Sequence, residues 1–184
     1  MLICYSKSIN YIQECGMKPE IIEREPAYIV GMSFYGDPFS QASAWSEENA
    51  IGKLCKRFTS FYESHPKDFV QACHPDVFFE IHIQTEETQT LGYHEVFAGV
   101  EVSRLHIPMA CSAKKLPGGL YAKFTLHGEE IVNDWWHAFF HEWLPESGYE
   151  VNNDFSILSY DERYKGVDHI SESDVDVLIP VKKL

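Results

Sequence analysis

Between Pro117 and Trp143 the hydrophobic pattern changes period once. Leu120, Ala122, Phe124 and Leu126 alternate with Tyr121, Lys123, Thr125 and His127, the two-residue period of a half-buried strand. Gly128 interrupts it, and Glu129 and Glu130 follow where a helix N-terminus favours negative charge. Val132, Trp136, Phe139, Phe140 and Trp143 then recur at three- and four-residue steps. That spacing predicts one amphipathic helix, stopped by Pro145 and Gly148.

The same reading, taken along the chain, predicts a short helix over Tyr5–Glu14, a strand from Met17 to Gly36 and a helix over Trp45–Tyr62. A strand follows over Val77–Gln84, with Phe79, Ile81 and Ile83 on one face and Phe78, Glu80 and His82 on the other. Thr85–Leu91 reads as a turn and Tyr93–Leu105 as a strand, in which Gly99 marks a bulge or a close approach. His106–Lys115 reads as a lead into the strand at Leu120. After Gly148 come a short strand over Phe155–Tyr160, a polar loop over Asp161–Ser173 and a last strand over Asp174–Lys182. Pro180 predicts that this last strand lies at or near an edge.

The order repeats. AYIVGMSFYG (Ala27–Gly36) matches GLYAKFTLHG (Gly119–Gly128), and an aromatic-rich helix follows each. FFEIHI then matches FSILSY, and VFAGVEV matches VDVLIPV. Two strand–helix–strand–strand halves, about 18–105 and 109–184, are therefore expected to superpose by an approximate twofold. Neither half can bury both its sheet and its helix alone. The expected architecture is an α+β fold, an antiparallel sheet with two main helices packed on it. A ligand groove between the halves follows, near the pseudo-twofold axis.

Composition narrows the function. A chain of 184 residues with 45% hydrophobic side chains is long enough for a full core. Its formal net charge of -13 lacks the basic footprint that nucleic-acid backbones require. It suits cationic ligands, or simple solubility. The cysteines, Cys4, Cys15, Cys55, Cys73 and Cys111, are scattered and form no Cys-x-x-Cys pair. This argues for a reducing cytoplasm rather than a disulfide framework. The start of the chain has no signal-peptide core, and no apolar run approaches the roughly 20 residues of a membrane span. The expectation is a cytoplasmic protein that binds neither membrane nor nucleic acid.

Several residues are candidates for chemistry. Trp135, Trp136, Phe139 and Phe140 commonly build a core, but adjacent tryptophans on a helix point about 100° apart. One of the pair should face a groove or solvent. Glu80 and His82 stand opposite the apolar face of their strand, either in solvent or in the groove. In the groove, the carboxylate would need a cation or a donor. His137 and His141 share a helix face at metal-ligand spacing, but two histidines do not complete a site and HAFFH lacks the glutamate of zinc proteases. No metal and no cofactor are expected. Pro117-Gly118-Gly119 precedes a strand and is not a phosphate loop.

LPGGLYAKFTLHG, the helix with Trp136, WLPESGYE (Trp143–Glu150), DVDVLIPVK and VFAGVEVS (Val96–Ser103) together resemble the GyrI-like small-molecule-binding domain. This is the effector-binding part of some bacterial AraC-type and MerR-type multidrug regulators. The resemblance covers roughly 17–184. It implies a central groove that holds amphipathic, often cationic, aromatic ligands between aromatic side chains and a carboxylate. Some similar proteins hydrolyse reactive small molecules, and some relatives resemble a gyrase inhibitor in fold. A groove-carboxylate hydrolase and a protein-interaction module therefore stay open beside a stand-alone binding domain. A homodimer also stays open. The family commonly places a glutamate two residues before the tyrosine of its second-half strand. Tyr160 fits the tyrosine, but Leu158 stands at the glutamate's place. By the internal repeat, Glu80 and His82 correspond to Leu158 and Tyr160, so Glu80 is expected to supply the missing acid. The expected ligand site comprises Glu80, His82, Trp135, Trp136, Phe139, Leu158 and Tyr160. The segment YSKSINYIQE is similar to the start of an AraC-type DNA-binding helix, so residues 1–16 read as a relic or a capping helix.

Overall fold

The computed structural model describes residues 18–38, 40 and 48–184. The expected helix over Tyr5–Glu14 and the start of the helix at Trp45 lie outside the described residues. The strands are β1 (Glu20–Arg24), β2 (Ala27–Gly36), β3 (Phe78–Gln84), β4 (His94–Val102), β5 (Ser112–Leu116), β6 (Gly119–His127), β7 (Tyr149–Val151), β8 (Phe155–Tyr160) and β9 (Asp174–Lys183). They form one antiparallel sheet in the order β1-β6-β9-β8-β3-β4-β2-β5, with β7 pairing β9 beyond the end of β8.

That order carries the repeat. β2, β4 and β3 on one side mirror β6, β9 and β8 on the other, and β3 pairs β8 at the junction. Successive register partners put Met32, Ala98 and Glu80 in one transverse row with Leu158, Val177 and Phe124. Glu80 and Leu158, matched by the sequence repeat, lie directly opposite each other at the centre of this row.

The expected single strand from Met17 to Gly36 is two strands, because Pro26 cannot donate to a ladder. The lead-in before Leu120 also contains a strand, β5. These two additions are exchanged between the halves. β1 precedes β2 but pairs β6, whereas β5 precedes β6 but pairs β2. Glu25–Pro26 and Pro117–Gly118 thus join strands at opposite ends of the order. Such short links require the sheet to curl until its edges meet. The two links touch: a Cβ on Gly118 would lie 2.7 Å from Pro26 Cδ. Ala27, Leu116, Tyr121, Phe79, Phe97 and Ile157 pack together inside the curl. Tyr121, placed by alternation on the polar face of β6, is fully buried there, and its hydroxyl donates to the Pro117 carbonyl at 2.7 Å.

Helices cover the other face. Helix α1 (Ala50–Ser64) starts where Asn49 Oδ1 accepts the Gly52 N–H at 2.8 Å. It buries Ile51, Leu54 and Phe58 on Val30, Met32, Val96 and Val100. Thr85–Leu91, expected to be a turn, forms the short helix α2 (Glu86–Leu91), closed by Gly92 in the left-handed region. In the second half, Gly128–Ile131 is only a tight 3₁₀ turn, and Val132 is exposed before the helix begins. The helix α3 starts where Asp134 accepts the His137 N–H at 3.0 Å. It continues through Trp135–His137, Ala138–Trp143 and Leu144–Ser147, with its middle section wound as a π-turn. Phe139 packs under it against Phe124, Leu126, Val177 and Ile179.

Gly99 marks a close approach within a regular ladder. It faces Gly31 across β2 and β4, and a Cβ on Gly31 would lie 1.9 Å from the Ala98 carbonyl oxygen. The edge position expected of the last strand is corrected: β9 runs between β6 and β8 in the sheet interior. Pro180 is tolerated because β8 pairs only as far as Leu178 and β7 resumes at Val181. At that gap the Pro180 carbonyl accepts from Asn152 N–H at 3.0 Å.

Candidate functional site

The two helices leave a gap above the centre of the sheet. It holds a cavity of about 980 Å³ whose lining comes from both halves. The floor follows from strand alternation. Phe78, Glu80, His82 and Gln84 of β3 point to the helix-bearing face, beside Tyr160, Leu158 and Ser156 of β8. Gly52, Cys55, Lys56 and Thr59 of α1 make one wall, at helical spacing beside its buried stripe. Trp135 and Trp136 of α3 make the opposite wall, with Tyr164, Gly166 and Val167 from the loop after β8.

Glu80 is the one carboxylate among the described lining residues. It is 3% exposed. His82 Nε2 lies 2.6 Å from Oε1, the Tyr160 hydroxyl donates to Oε2 at 3.2 Å, and the Cys55 thiol donates to Oε2 at 3.5 Å. A carboxylate only accepts, and each of these partners can donate. The buried charge is therefore satisfied from three elements. Its field acts back on its neighbours. Burial, then the charge of Glu80, pushes the Tyr160 phenol and the Cys55 thiol well above their ordinary ranges, so both stay protonated donors at neutral pH. His94, across from Gln84, is held below the usual histidine range by burial, then by His82, against a smaller opposing effect of Asp37.

The aromatic wall divides by depth. Trp135 packs on Phe124 with ring centroids 5.9 Å apart. Trp136 is 37% exposed and lies over Phe140 at 3.9 Å. Both tryptophans reach the cavity, as do Glu80, His82, Leu158 and Tyr160. Phe139 does not. It is fully buried, stacked between Phe124 and Trp143 at 5.5 and 5.1 Å, because the side of α3 that bears it faces the sheet. Cys55 and Tyr164 went unread in the sequence. Cys55 sits one residue beyond the buried Leu54 in α1, so a polar stripe flanking the apolar one was its only signal. Tyr164 sits in a polar loop with no periodicity. Its ring meets that of Tyr160 at 4.9 Å, and the preceding Arg163 ties the loop to the sheet through Asp176 at 2.9 Å.

His137 and His141 lie outside this site with ring centroids 4.8 Å apart. Among the described residues no group of three His, Cys, Asp or Glu side chains could hold a metal ion. None of the described helices is long and apolar enough to cross a membrane.

The arrangement is that of GyrI-like α+β domains, and solved structures share it at low identity. The C-terminal domain of EcmrR covers 91% of this chain and 99% of its own, with TM-score 0.64 and 12% identity. SAV2435, solved bound to tetraphenylphosphonium, covers 90% and 94%, with TM-score 0.60 and 12% identity. An integron cassette protein from the mobile metagenome of Vibrio cholerae covers 89% and 95%, with TM-score 0.56 and 15% identity. A "DNA gyrase inhibitor" of Erwinia billingiae (strain Eb661) is 29% identical over 180 residues, 91% of this chain and 99% of its own. The Cass2 family model, integron-associated effector binding protein, matches residues 20–181, and the chain belongs to that family. It is an effector-binding, small-molecule-binding domain.

Proposed function

We propose that the cavity binds amphipathic aromatic cations, with Glu80 as the charge-selecting group and Trp135, Trp136 and Tyr160 as stacking surfaces. One observation carries this reading: a carboxylate 3% exposed on the floor of an aromatic-walled cavity. A buried charge in such surroundings is costly unless it is met by donors or a cation. Three internal donors hold it, and a cation above the floor adds to them without hydrogen bonds of its own. Cation–π contacts add about 0.5–2 kcal/mol each, so a few of them with apolar burial reach the roughly 8 kcal/mol of micromolar binding. The likeness to a protein solved with tetraphenylphosphonium supports the ligand class. The likeness to EcmrR in its DNA complex supports a link to transcriptional control, with this chain as an effector-binding module.

Calorimetric titration of a cationic dye and a neutral analogue of the same shape tests this reading. In Glu80→Gln the cation should weaken about tenfold or more, the equivalent of about 1.4 kcal/mol, while the neutral analogue holds its affinity. Equal losses for both ligands, or none for either, would remove Glu80 from the site.

Hydrolysis is a second reading, favoured by the Tyr160–Glu80 hydrogen bond, since a carboxylate with a neighbouring hydroxyl can orient and deprotonate water. Both carboxylate oxygens of Glu80 already accept from His82, Tyr160 and Cys55 rather than facing an open water position, which favours binding. Turnover of a panel of strained electrophiles, lost in Glu80→Gln, would reverse that preference.

A further inference from the structure

We infer that the cavity carries a second polar subsite, formed by Gln84 and His94, that receives a neutral carbonyl oxygen on the tail of the ligand. This rests on the reading that the cavity binds a small molecule. It specifies which aromatic cations fit best: those with a ketone, ester or amide some distance from the charge.

The floor changes character along β3. Phe78 faces Tyr160, Glu80 faces Leu158, His82 faces Ser156, and Gln84 ends the strand opposite His94 of β4. Helix α1 runs in the opposite direction to β3, its Phe58 packing on Phe78 with ring centroids 6.2 Å apart and its capped N-terminus lying towards the Gln84 end. The cavity is thus aromatic at one end and polar at the other, with Glu80 between. From Glu80 to the Gln84 row is four residues, about 13 Å at 3.3–3.4 Å per residue.

Several polar groups of the cavity have described partners. His82 and Cys55 bond to Glu80. Thr59 donates to the Cys55 carbonyl at 3.0 Å, and Thr88 donates to the Tyr93 carbonyl at 2.6 Å. Gln84 and His94 are different. Both line the cavity, both are half-buried, they face each other in register, and neither side chain hydrogen-bonds to a described residue. The Gln84 NH₂ and the His94 ring N–H, side by side without a described partner in a half-buried place, can converge on one acceptor atom.

The charges around them decide which acceptor. Burial and His82 keep His94 neutral, so it offers an N–H and not a positive charge. Asp37, close enough to affect His94, opposes a second anion. A neutral carbonyl meets both donors without that repulsion.

The test uses three benzyldimethylalkylammonium ions whose tails span the distance from Glu80 to His94 and end in a methyl group, a methyl ketone or a carboxylate. Binding is measured by calorimetry on the whole chain. The ketone should bind at least tenfold tighter than the methyl-ended ion and tighter than the carboxylate. In the double variant Gln84→Leu with His94→Leu the ketone's advantage over the methyl-ended ion should vanish, with far-UV circular dichroism and the urea midpoint reporting that the variant is folded. A methyl-ended ion that binds wild type as tightly as the ketone would overturn the inference and leave the Glu80 reading intact. So would an advantage that survives in the variant. A carboxylate that binds tightest would also overturn it, by showing an anion site. Ketone binding with no methyl-ended binding would support the subsite and count against Glu80 as the anchor of the cation. If none of the three binds, both readings fall.

Discussion

Glu80 concentrates the physical cost of the site in one residue. Strand alternation alone suggests that neutralising it relieves a desolvated charge, so that Glu80→Gln should leave stability unchanged or slightly raised. The observed partners reverse that expectation. His82, Tyr160 and Cys55 each direct a donor at the carboxylate, and hydrogen bonds to a charged acceptor contribute about 1.5–3 kcal/mol against about 1 for neutral ones. In the glutamine variant one oxygen becomes an NH₂ group, and His82 must turn an unprotonated nitrogen towards it. Glu80→Gln should therefore lose about 1 kcal/mol of stability, read as a lower urea midpoint at unchanged slope. A raised midpoint would mean that desolvation outweighs the three donors.

Helix α3 separates packing from recognition within a few residues. Trp136 and Phe139 are both large aromatics of one helix, yet one is 37% exposed at the cavity and the other has no exposed surface. Their truncations should differ in kind. Trp136→Ala should weaken binding of a planar cationic dye by about 1–2 kcal/mol and leave the fold intact. Phe139→Ala removes a ring stacked on Phe124 and Trp143 and should cost about 3–5 kcal/mol of stability. Chemical denaturation and dye titration on both variants give the comparison. A folded Trp136→Ala protein with unchanged dye affinity would take the tryptophan out of the site.

For the whole molecule, the cavity depends on parts held from a distance. The loop that carries Tyr164, Gly166 and Val167 to the cavity is tied down by Arg163, which bridges Asp161 at 2.7 Å and Asp176 at 2.9 Å. Asp176 also pairs with Lys123 at 3.0 Å and accepts from Thr125 at 2.6 Å. Burial alone would raise the Asp176 carboxyl, but the bonds from Thr125, Arg163 and Lys123 outweigh it and hold it below the usual range. The Arg163 hydrogen bond lowers Asp161 in the same way. A carboxylate whose folded pKa is depressed stabilises the fold above its unfolded value of about 3.9, and that stability is lost as pH falls through the folded value. Stability should therefore decline from about pH 5 downward, and Asp176→Asn should flatten that decline while lowering stability at neutral pH. Urea midpoints across this range, wild type against variant, are the measurement. Parallel curves would mean that the acid sensitivity lies elsewhere.

The chain by itself determined most of its strands and its repeat, and it pointed to Glu80. Alternation over Leu120–His127 and Val77–Gln84 reports which side chains share a face, and those strands formed as read. The match of Ala27–Gly36 to Gly119–Gly128 predicted the mirrored strand order, because like segments folding alike pair alike. Leu158 at the family's glutamate position pointed to Glu80, its counterpart in the repeat, as the acid from the other half, and the structure adds that the two residues are register partners. Tertiary structure decided what no local period encodes. A periodic pattern states that a face is apolar but not what covers it. Tyr121 therefore read as a polar-face residue and became core once the sheet curled, and Phe139 read as a ligand contact and became the layer beneath one. Pro180 read as an edge signal and lies in the interior, because pairing on one side of β9 changes from β8 to β7 around it. The exchange of β1 and β5, the thiol of Cys55 on Glu80 and the loop wall at Tyr164 all arise from contacts between segments distant in sequence. Such contacts are fixed only when the whole chain closes, and the cavity exists only where both halves meet.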